Sequence, residues 1–379
     1  MTDATPTVRL RPKIDARRLR RGFPWVYANQ MVTDRRTRAL KAGTISRLED
    51  ADRNPIGIVA VNPNSKIIAR ILDHDPDAQI DQGWFLSRLR RALRNREAIY
   101  DAPYYRLIHA EADGLPGVII DRFGSAAVVQ PNAVWADDRL ELLVKALAEM
   151  TGITTIVKNA QGRGRALEGL DDVSVVSLGH VDAPVKVPMN GATYMADLLG
   201  GQKTGLYYDQ RPNHEFVASL ARGTAVLDVF SHVGGFALAT LAGGADRALS
   251  IDASEAALNL AVAGAKASEV ADRYETRVSD AFPALVALHE EGRNFGTVIC
   301  DPPAFAPNAK ALNSGLRAYE KVARLSALLV EKNGTLTLCS CSHAADLERF
   351  RSACVRGIGR AGRRCQIIRT GFAGPDHPQ

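Results

Sequence analysis

Four apolar runs in the C-terminal half of this 379-residue chain end at or just before an aspartate, and no other feature restricts the fold as much. Residues 224–230 carry Asp228, residues 248–251 run into Asp252, residues 274–278 lead to Asp280, and residues 295–299 lead through Cys300 to Asp301. Helix-length segments lie between them, such as the one opening at residues 236–242 and the one at 256–268. A further strand is expected at residues 334–339. Alternating strands and helices from about residue 190 predict a parallel, doubly wound sheet. In such a sheet the carboxyl ends of the strands line the ligand crevice. A single acid there is a common cap, whereas four in succession point to one shared site.

The first of these strands runs into Ser231-His232-Val233-Gly234-Gly235-Phe236. A glycine-bearing turn into a helix lets a ligand approach the backbone closely. The spacing is not G-x-G-x-x-G, so the dinucleotide fingerprint is absent. Asp252 follows at the distance where a carboxylate can take both hydroxyls of a ribose.

These residues resemble the class I S-adenosylmethionine-dependent methyltransferases. The resemblance implies that Asp228, Gly234 and Gly235 cradle the methionine end of the cofactor, with Phe230, Ser231 and Phe236 beside them. It implies that Asp252 and Ala253 meet the ribose and that Asp280 and Ala281 meet the adenine. Asp301-Pro302-Pro303-Ala304-Phe305 matches the motif facing the substrate base. With the segment 202–211, read Gln-Lys-Thr-Gly-Leu-Tyr-Tyr-Asp-Gln-Arg, and with Cys339-Ser340-Cys341-Ser342, the chain is similar to the RlmI-type family of 23S rRNA cytosine-C5 methyltransferases over nearly its whole length. Gln202, Lys203 and Asp209 then join the cofactor site. The implied partner is 23S rRNA, free or in a large-subunit precursor. A homodimer is one of the oligomeric states the sequence leaves open.

Methylation at cytosine C5 has a definite chemical need. C5 is a poor nucleophile until a thiolate adds at C6, so the enzyme needs a cysteine at the substrate edge of the sheet and a group to bind or protonate N3. The resemblance assigns these parts to Cys341 and Asp301. Cys339 is the rival, two residues earlier on the same strand face. Cys300, Cys354 and Cys365 read as packing residues. His232 and His343 read as loop histidines. An amino-group methyltransferase, acting on adenine N6 or guanine N2, is the alternative. It prefers an aromatic directly after the proline pair, where this chain has Ala304. A non-catalytic RNA-binding protein is a third reading, disfavoured by retention of all four acids.

The rest of the chain divides at about residues 75 and 185. Residues 1–75 read as a small β-rich unit, with strands at 44–48, 57–61 and 66–72, resembling the family's PUA domain. They hold the whole excess of positive charge: residues 1–50 carry 12 Lys or Arg against 5 Asp or Glu, while the whole chain is +6. That clustering suits a nucleic-acid-facing surface. Phe23, Trp25 and Tyr27 lie among these arginines and read as core. Residues 76–185 resemble the family's central β-β-α-β-β domain. It opens with a basic amphipathic helix whose arginines, Arg96 included, form the polar face. Strands follow at 106–111, 117–123, 126–130, 155–158 and 185–189, with a helix at 136–150. No apolar run reaches the ~18 residues of a membrane span. The five cysteines, an odd count confined to the last 80 residues, suit a reducing cytoplasm. They lack the paired C-x₂-C spacing of a structural zinc site. Residues 365–373 are expected to form a sixth strand of the C-terminal sheet. The six residues after it leave no room for the seventh strand usual in this class, which predicts reduced stability and an exposed sheet edge.

Overall fold

The computed structural model describes residues 5–200 and 205–379. They form two compact units. The first takes the described residues up to 183 together with 197–200, 205 and 375–379, and the second takes 184–196 and 206–374.

The first unit holds two five-stranded sheets. Strands β1 (Thr7–Arg9), β2 (Trp25–Tyr27), β3 (Thr44–Glu49), β4 (Pro55–Val61) and β5 (Ile67–Asp73) lie in the order β1-β3-β4-β5-β2. Two one-turn helices, α1 (Arg17–Arg20) and α2 (Arg35–Arg38), sit in its connections. Alternate side chains of β4 serve two cores. Val59 and Val61 join Val8, Leu10 and Leu48, while Ile58 and Ala60 join Trp84, Phe85 and Trp135. A strand buried on both faces reads as a continuous apolar run, which is how 55–61 appears in the sequence. The second core is covered by α3 (Gln82–Glu97) and by strands β6 (Tyr104–His109), β7 (Val118–Phe123), β8 (Ala126–Pro131), β9 (Thr155–Lys158) and β10 (Val175–Leu178), in the order β10-β9-β8-β7-β6. The helix expected at 136–150 is broken into α4 (Val134–Asp137) and α5 (Leu140–Thr151). Helix α6 (Arg163–Glu168) completes this unit.

Three expectations change here. Arg96 is not on the polar face of α3. It is buried, with its guanidinium in a bidentate pair with Asp113 at 2.9 and 2.6 Å and its Nε donating to the Arg106 carbonyl. The periodicity that made it solvated cannot see a partner 17 residues away in a turn. The aromatics also differ among themselves. Phe23 packs against the small core and Trp25 donates to Glu111 at 2.7 Å, but Tyr27 is exposed. Finally, the fifth strand of the central sheet is β10. The run at 185–189 is β11 (Val185–Met189), which pairs with β12 (Ala192–Ala196) in the second unit. Asn190 and Gly191, at φ 52° and 76°, close that hairpin through the tight turn that two left-handed residues permit.

The second unit continues with α7 (Arg211–Leu220), β13 (Ala225–Val229), α8 (Gly235–Ala242), β14 (Arg247–Asp252), α9 (Glu255–Ala267), β15 (Tyr274–Val278), α10 (Ala281–Glu290), β16 (Phe295–Cys300), α11 (Leu312–Leu329), β17 (Val330–Leu338) and α12 (Leu347–Arg360). Strands β13 to β17 are all parallel, in the order β15-β14-β13-β16-β17, and the antiparallel β11–β12 hairpin forms a separate two-stranded sheet. The order reverses between β13 and β16, which puts the ligand crevice at their carboxyl ends. This is the Rossmann-like architecture expected. Residues 365–373 add no strand to it. They are mostly exposed, with Arg369 stacked 4.2 Å over Phe216 and Arg351 donating to Thr370. Cys365, expected to pack, is exposed as well. No helix among the described residues is long and apolar enough to cross a membrane.

The Arg96–Asp113 pair gives a stability prediction. Asp113→Ala leaves a buried guanidinium without its counter-charge and should cost about 3–5 kcal/mol. Urea unfolding of the two single variants and of the pair Arg96→Met with Asp113→Leu checks this. The double substitution is expected to recover most of the loss.

Candidate active site

The crevice is built on the turn that follows β13. Phe230 and His232 adopt left-handed backbone at φ 63° and 50°, and Gly234 caps α8 at φ 79°. Such conformations cost side-chain-bearing residues about 1–3 kcal/mol each and persist only where neighbours hold them. Four groups do so. Asp252, at the end of β14, accepts from the His232 N–H at 2.8 Å through one oxygen and from the Ser254 N–H at 2.9 Å through the other. Asp228 accepts from the Ala237 N–H at 2.9 Å, at the positive end of α8. Tyr194 donates to the Gly235 carbonyl at 3.1 Å. The imidazole of His214 lies so close to Gly235 that a Cβ there would sit 2.9 Å from two ring atoms.

Two polar atoms on this turn lack partners among the described residues. Asp228 Oδ1 and Ser231 Oγ are buried and unpaired. Burial pushes the Asp228 carboxyl up to about 8, against the pull of the Ala237 N–H. An orphaned acceptor inside a cradle of N–H groups fits a ligand with a cationic, hydrogen-bonding head. A dry carboxyl held so far above its usual range is common at functional sites. Asp280 is the N-cap residue of α10, exposed, with no capping hydrogen bond of its own. Ala253 is exposed and Ala281 buried beside these acids, and Phe236 is buried under the turn. Phe230 meets Phe305 edge-on at 6.2 Å.

The substrate side gathers at β16 and β17. Asp301 follows β16 and accepts from Gln210 Nε2 at 3.2 Å. Asp209 is half-buried and accepts from the Gln210 N–H at 3.1 Å. Cys341 is exposed in the loop after β17, with its Sγ 3.8 Å from the Pro302 carbonyl. Cys339 is half-buried, and desolvation pushes its thiol well up. Cys300 is core, bonded to Ser326 at 3.0 Å, and Cys354 is buried. Tyr207 lies against His232 at 5.0 Å between ring centres, and burial raises its phenol to about 12. The sequence reading missed Tyr207, His214 and Tyr194. Tyr207 lies in the QKTG…DQR stretch and Tyr194 in the preceding hairpin, while His214 is on α7 just after that stretch, with no signal in the sequence. Gln202 and Lys203 fall outside the described residues.

Comparisons with known proteins agree with this architecture. Residues 8–74 match the PUA-like domain family, and residues 136–352 match the S-adenosylmethionine-dependent methyltransferase family. The chain is 33% identical to a ribosomal RNA large subunit methyltransferase I of Alteromonas mediterranea, over 97% of this chain and 93% of that protein. It is 31% identical to one of Pseudoalteromonas atlantica over 98% and 94%. Among solved structures, a Streptococcus mutans protein assigned as a SAM-dependent methyltransferase shares the fold at a TM-score of 0.81 and 18% identity, covering 99% of this chain and 96% of that one. A second, SMU.776, matches with the same score and was solved complexed with SAH.

The buried ring beneath the turn gives a pH prediction. Desolvation lowers His214 to about 3. Its folded value lies below its unfolded value near 6.5, so the unfolded chain binds the extra proton between those two pH values. His214 therefore costs stability as pH falls below about 6.5, by up to about 1.4 kcal/mol per unit. Asp228, raised to about 8, acts with the opposite sign over part of that range. The expected signal is thus the difference between wild type and His214→Phe. Urea midpoints from pH 7 to pH 4 should shift in favour of the variant as the medium becomes more acidic.

Proposed function

Because the chain belongs to the ribosomal RNA large subunit methyltransferase I family, we propose that it transfers a methyl group from S-adenosylmethionine to C5 of a cytosine in 23S rRNA through an adduct on Cys341. The cofactor is that of the family, and when bound it supplies an electrophilic methyl group on a sulfonium. The finer assignment rests on one observation above all. Cys341 stands exposed at the substrate end of the sheet beside the Asp301-Pro302-Pro303 loop, while its rival Cys339 is half-buried with a thiol held protonated.

In this reading the turn after β13 holds the cofactor. Asp228, with its unpaired oxygen, and Ser231, Gly234, Gly235 and Phe236 take the methionine end. Asp252, already oriented by two backbone N–H groups, takes the ribose together with Ala253. Asp280 and Ala281 flank the adenine. Phe230, Asp209, Gln202 and Lys203 complete the site. On the substrate side, Asp301 binds the ring edge and holds a proton at N3. The Cys341 thiolate adds to C6, and the electron pair displaced from the C5–C6 double bond makes C5 nucleophilic. C5 would then accept the methyl group of the bound cofactor, whose sulfonium would leave as a neutral thioether. Loss of the C5 proton restores the double bond and expels the thiolate. Pre-orientation of Asp301 by Gln210 lowers the entropy cost of placing the base. The PUA-like residues 8–74 carry the whole excess of positive charge and are proposed to bind the RNA backbone.

Two outcomes follow. Cys341→Ala should abolish 5-methylcytidine formation on unmodified 23S rRNA, by at least about 1,000-fold, with cofactor affinity unchanged. Nucleoside analysis of the methylated RNA and calorimetry check the two parts. Methyl groups on an exocyclic nitrogen, or an active variant, would favour the amino-group methyltransferase. Asp252→Ala should weaken S-adenosylmethionine binding by about 10- to 100-fold, since it loses both the ribose contact and the anchor of His232. Titration of cofactor into the RNA-free protein reads this directly.

A further inference from the structure

Cys341 sits between two serines whose hydroxyls meet a third hydroxyl. Ser340 Oγ donates to the phenol oxygen of Tyr319 at 2.8 Å, and that oxygen lies 2.7 Å from Ser342 Oγ. Ser342 Oγ accepts from the Ala306 N–H at 2.9 Å, and the Ser342 N–H donates back to Ser340 Oγ at 3.3 Å. Tyr319 lies on α11 and is 2% exposed, and Ser342 is 8% exposed. Its ring is held by Phe305 and Phe350, each 5.0 Å away between centres.

The three hydroxyls form one chain. Ser342 Oγ receives a proton from Ala306 and the Tyr319 oxygen one from Ser340, and either hydroxyl can donate between Tyr319 and Ser342. Burial raises the Tyr319 phenol, so it keeps its proton through the physiological range. One buried oxygen thus ties the residues on both sides of Cys341 to each other. Through Ser342 and Ala306 it also ties them to the Asp301–Phe305 loop, which carries the opposite wall of the site. The Tyr319–Ser342 half of the chain is buried and hydrogen-bonded, which restricts the backbone it joins, while Ser340 closes the chain at the surface.

We infer that Tyr319 is a positioning residue for the nucleophile, its hydroxyl setting where the Cys341 thiol stands relative to the Asp301 loop. This rests on the reading of Cys341 as nucleophile. Tyr319 is buried behind the loop and acts through Cys341, not on the reacting atoms.

The test is Tyr319→Phe, which removes one oxygen and keeps the ring among Phe305 and Phe350. A 23S rRNA transcript containing 5-fluorocytidine is the probe. Fluorine at C5 cannot leave as the proton does, so the enzyme–RNA adduct persists and can be counted on a denaturing gel. The rate of adduct formation should fall by about 10- to 100-fold, as expected when a reacting atom is misplaced by about an ångström. The final yield of adduct and the cofactor affinity should match wild type. The double variant Tyr319→Phe/Ser340→Ala should be no slower than Tyr319→Phe by more than about twofold, because both changes break the same chain. A Tyr319→Phe rate within twofold of wild type would overturn the inference. So would a parallel loss of cofactor affinity, which marks a general structural role, or multiplying losses in the double variant. If wild type itself forms no adduct, the cysteine reading fails and this inference falls with it.

Discussion

The left-handed turn between β13 and α8 is the constraint on which the candidate site depends. Two residues with side chains, Phe230 and His232, adopt a backbone that L-residues avoid, and the chain reaches α8 only through Gly234. Such a turn exists because acids from two strands hold it from opposite sides. Asp252 grips the His232 N–H, and Asp228 grips the first turn of α8. The same acids face the crevice, so building the turn and presenting carboxylates to a ligand are one act of folding. This accounts for the orphaned oxygen of Asp228. One of its oxygens is spent on the helix, and the other is buried without a hydrogen-bond partner among the described residues.

That coupling also explains which parts were legible in the sequence. In a parallel sheet every strand ends at the same edge, so four strand-terminal aspartates announce a common location before any coordinates exist. Asp228, Asp252, Asp280 and Asp301 do lie at that edge. Strand periodicity found β13 to β16 within a residue or two, since buried parallel strands read as short apolar runs. The turn itself announced its glycines, because a tight approach to a helix N-terminus needs them.

What stayed illegible depends on contacts between distant residues. Arg96 has the spacing of a solvated position and becomes buried only because Asp113 and the Arg106 carbonyl meet it. Residues 185–189 have strand character, but the Asn190-Gly191 turn pairs them with 192–196 and not with the central sheet. Residues 365–373 contain Ile367, Ile368 and Phe372, which suggest a strand. Strand propensity mostly measures fit to a neighbouring surface. These three side chains are instead exposed, and Arg369 packs on α7. Tyr319 is the clearest case. Nothing in an 18-residue amphipathic helix marks one buried tyrosine as the partner of two serines about 20 residues later. Only the tertiary structure brings the three hydroxyls together.

The basic N-terminal segment shows how far composition carries and where geometry must take over. Twelve cationic residues within residues 1–50 look like one patch in the sequence. In the structure eight of the twelve fall into two groups, and Lys41 pairs with Asp138 at 3.8 Å. Arg9, Arg17, Arg20 and Arg47 pair with Glu49, Asp15, Asp50 and Asp77. Among the described residues, Arg18, Arg35, Arg36 and Arg38 make no ion pair, and all four are exposed. Exposed pairs contribute only about 0–1 kcal/mol to stability, so the first group gives up a partner at little cost, but each must still exchange one anion for another. In the proposed contact the second group would have only bulk counterions to exchange for phosphate. Arg18 goes further, since its guanidinium already rests 3.6 Å over the Phe23 ring. A planar donor held in place loses less side-chain freedom when it binds phosphate than a free arginine does. The proposed RNA contact should therefore centre on Arg18 and α2, and the paired arginines contribute mainly through the field they add.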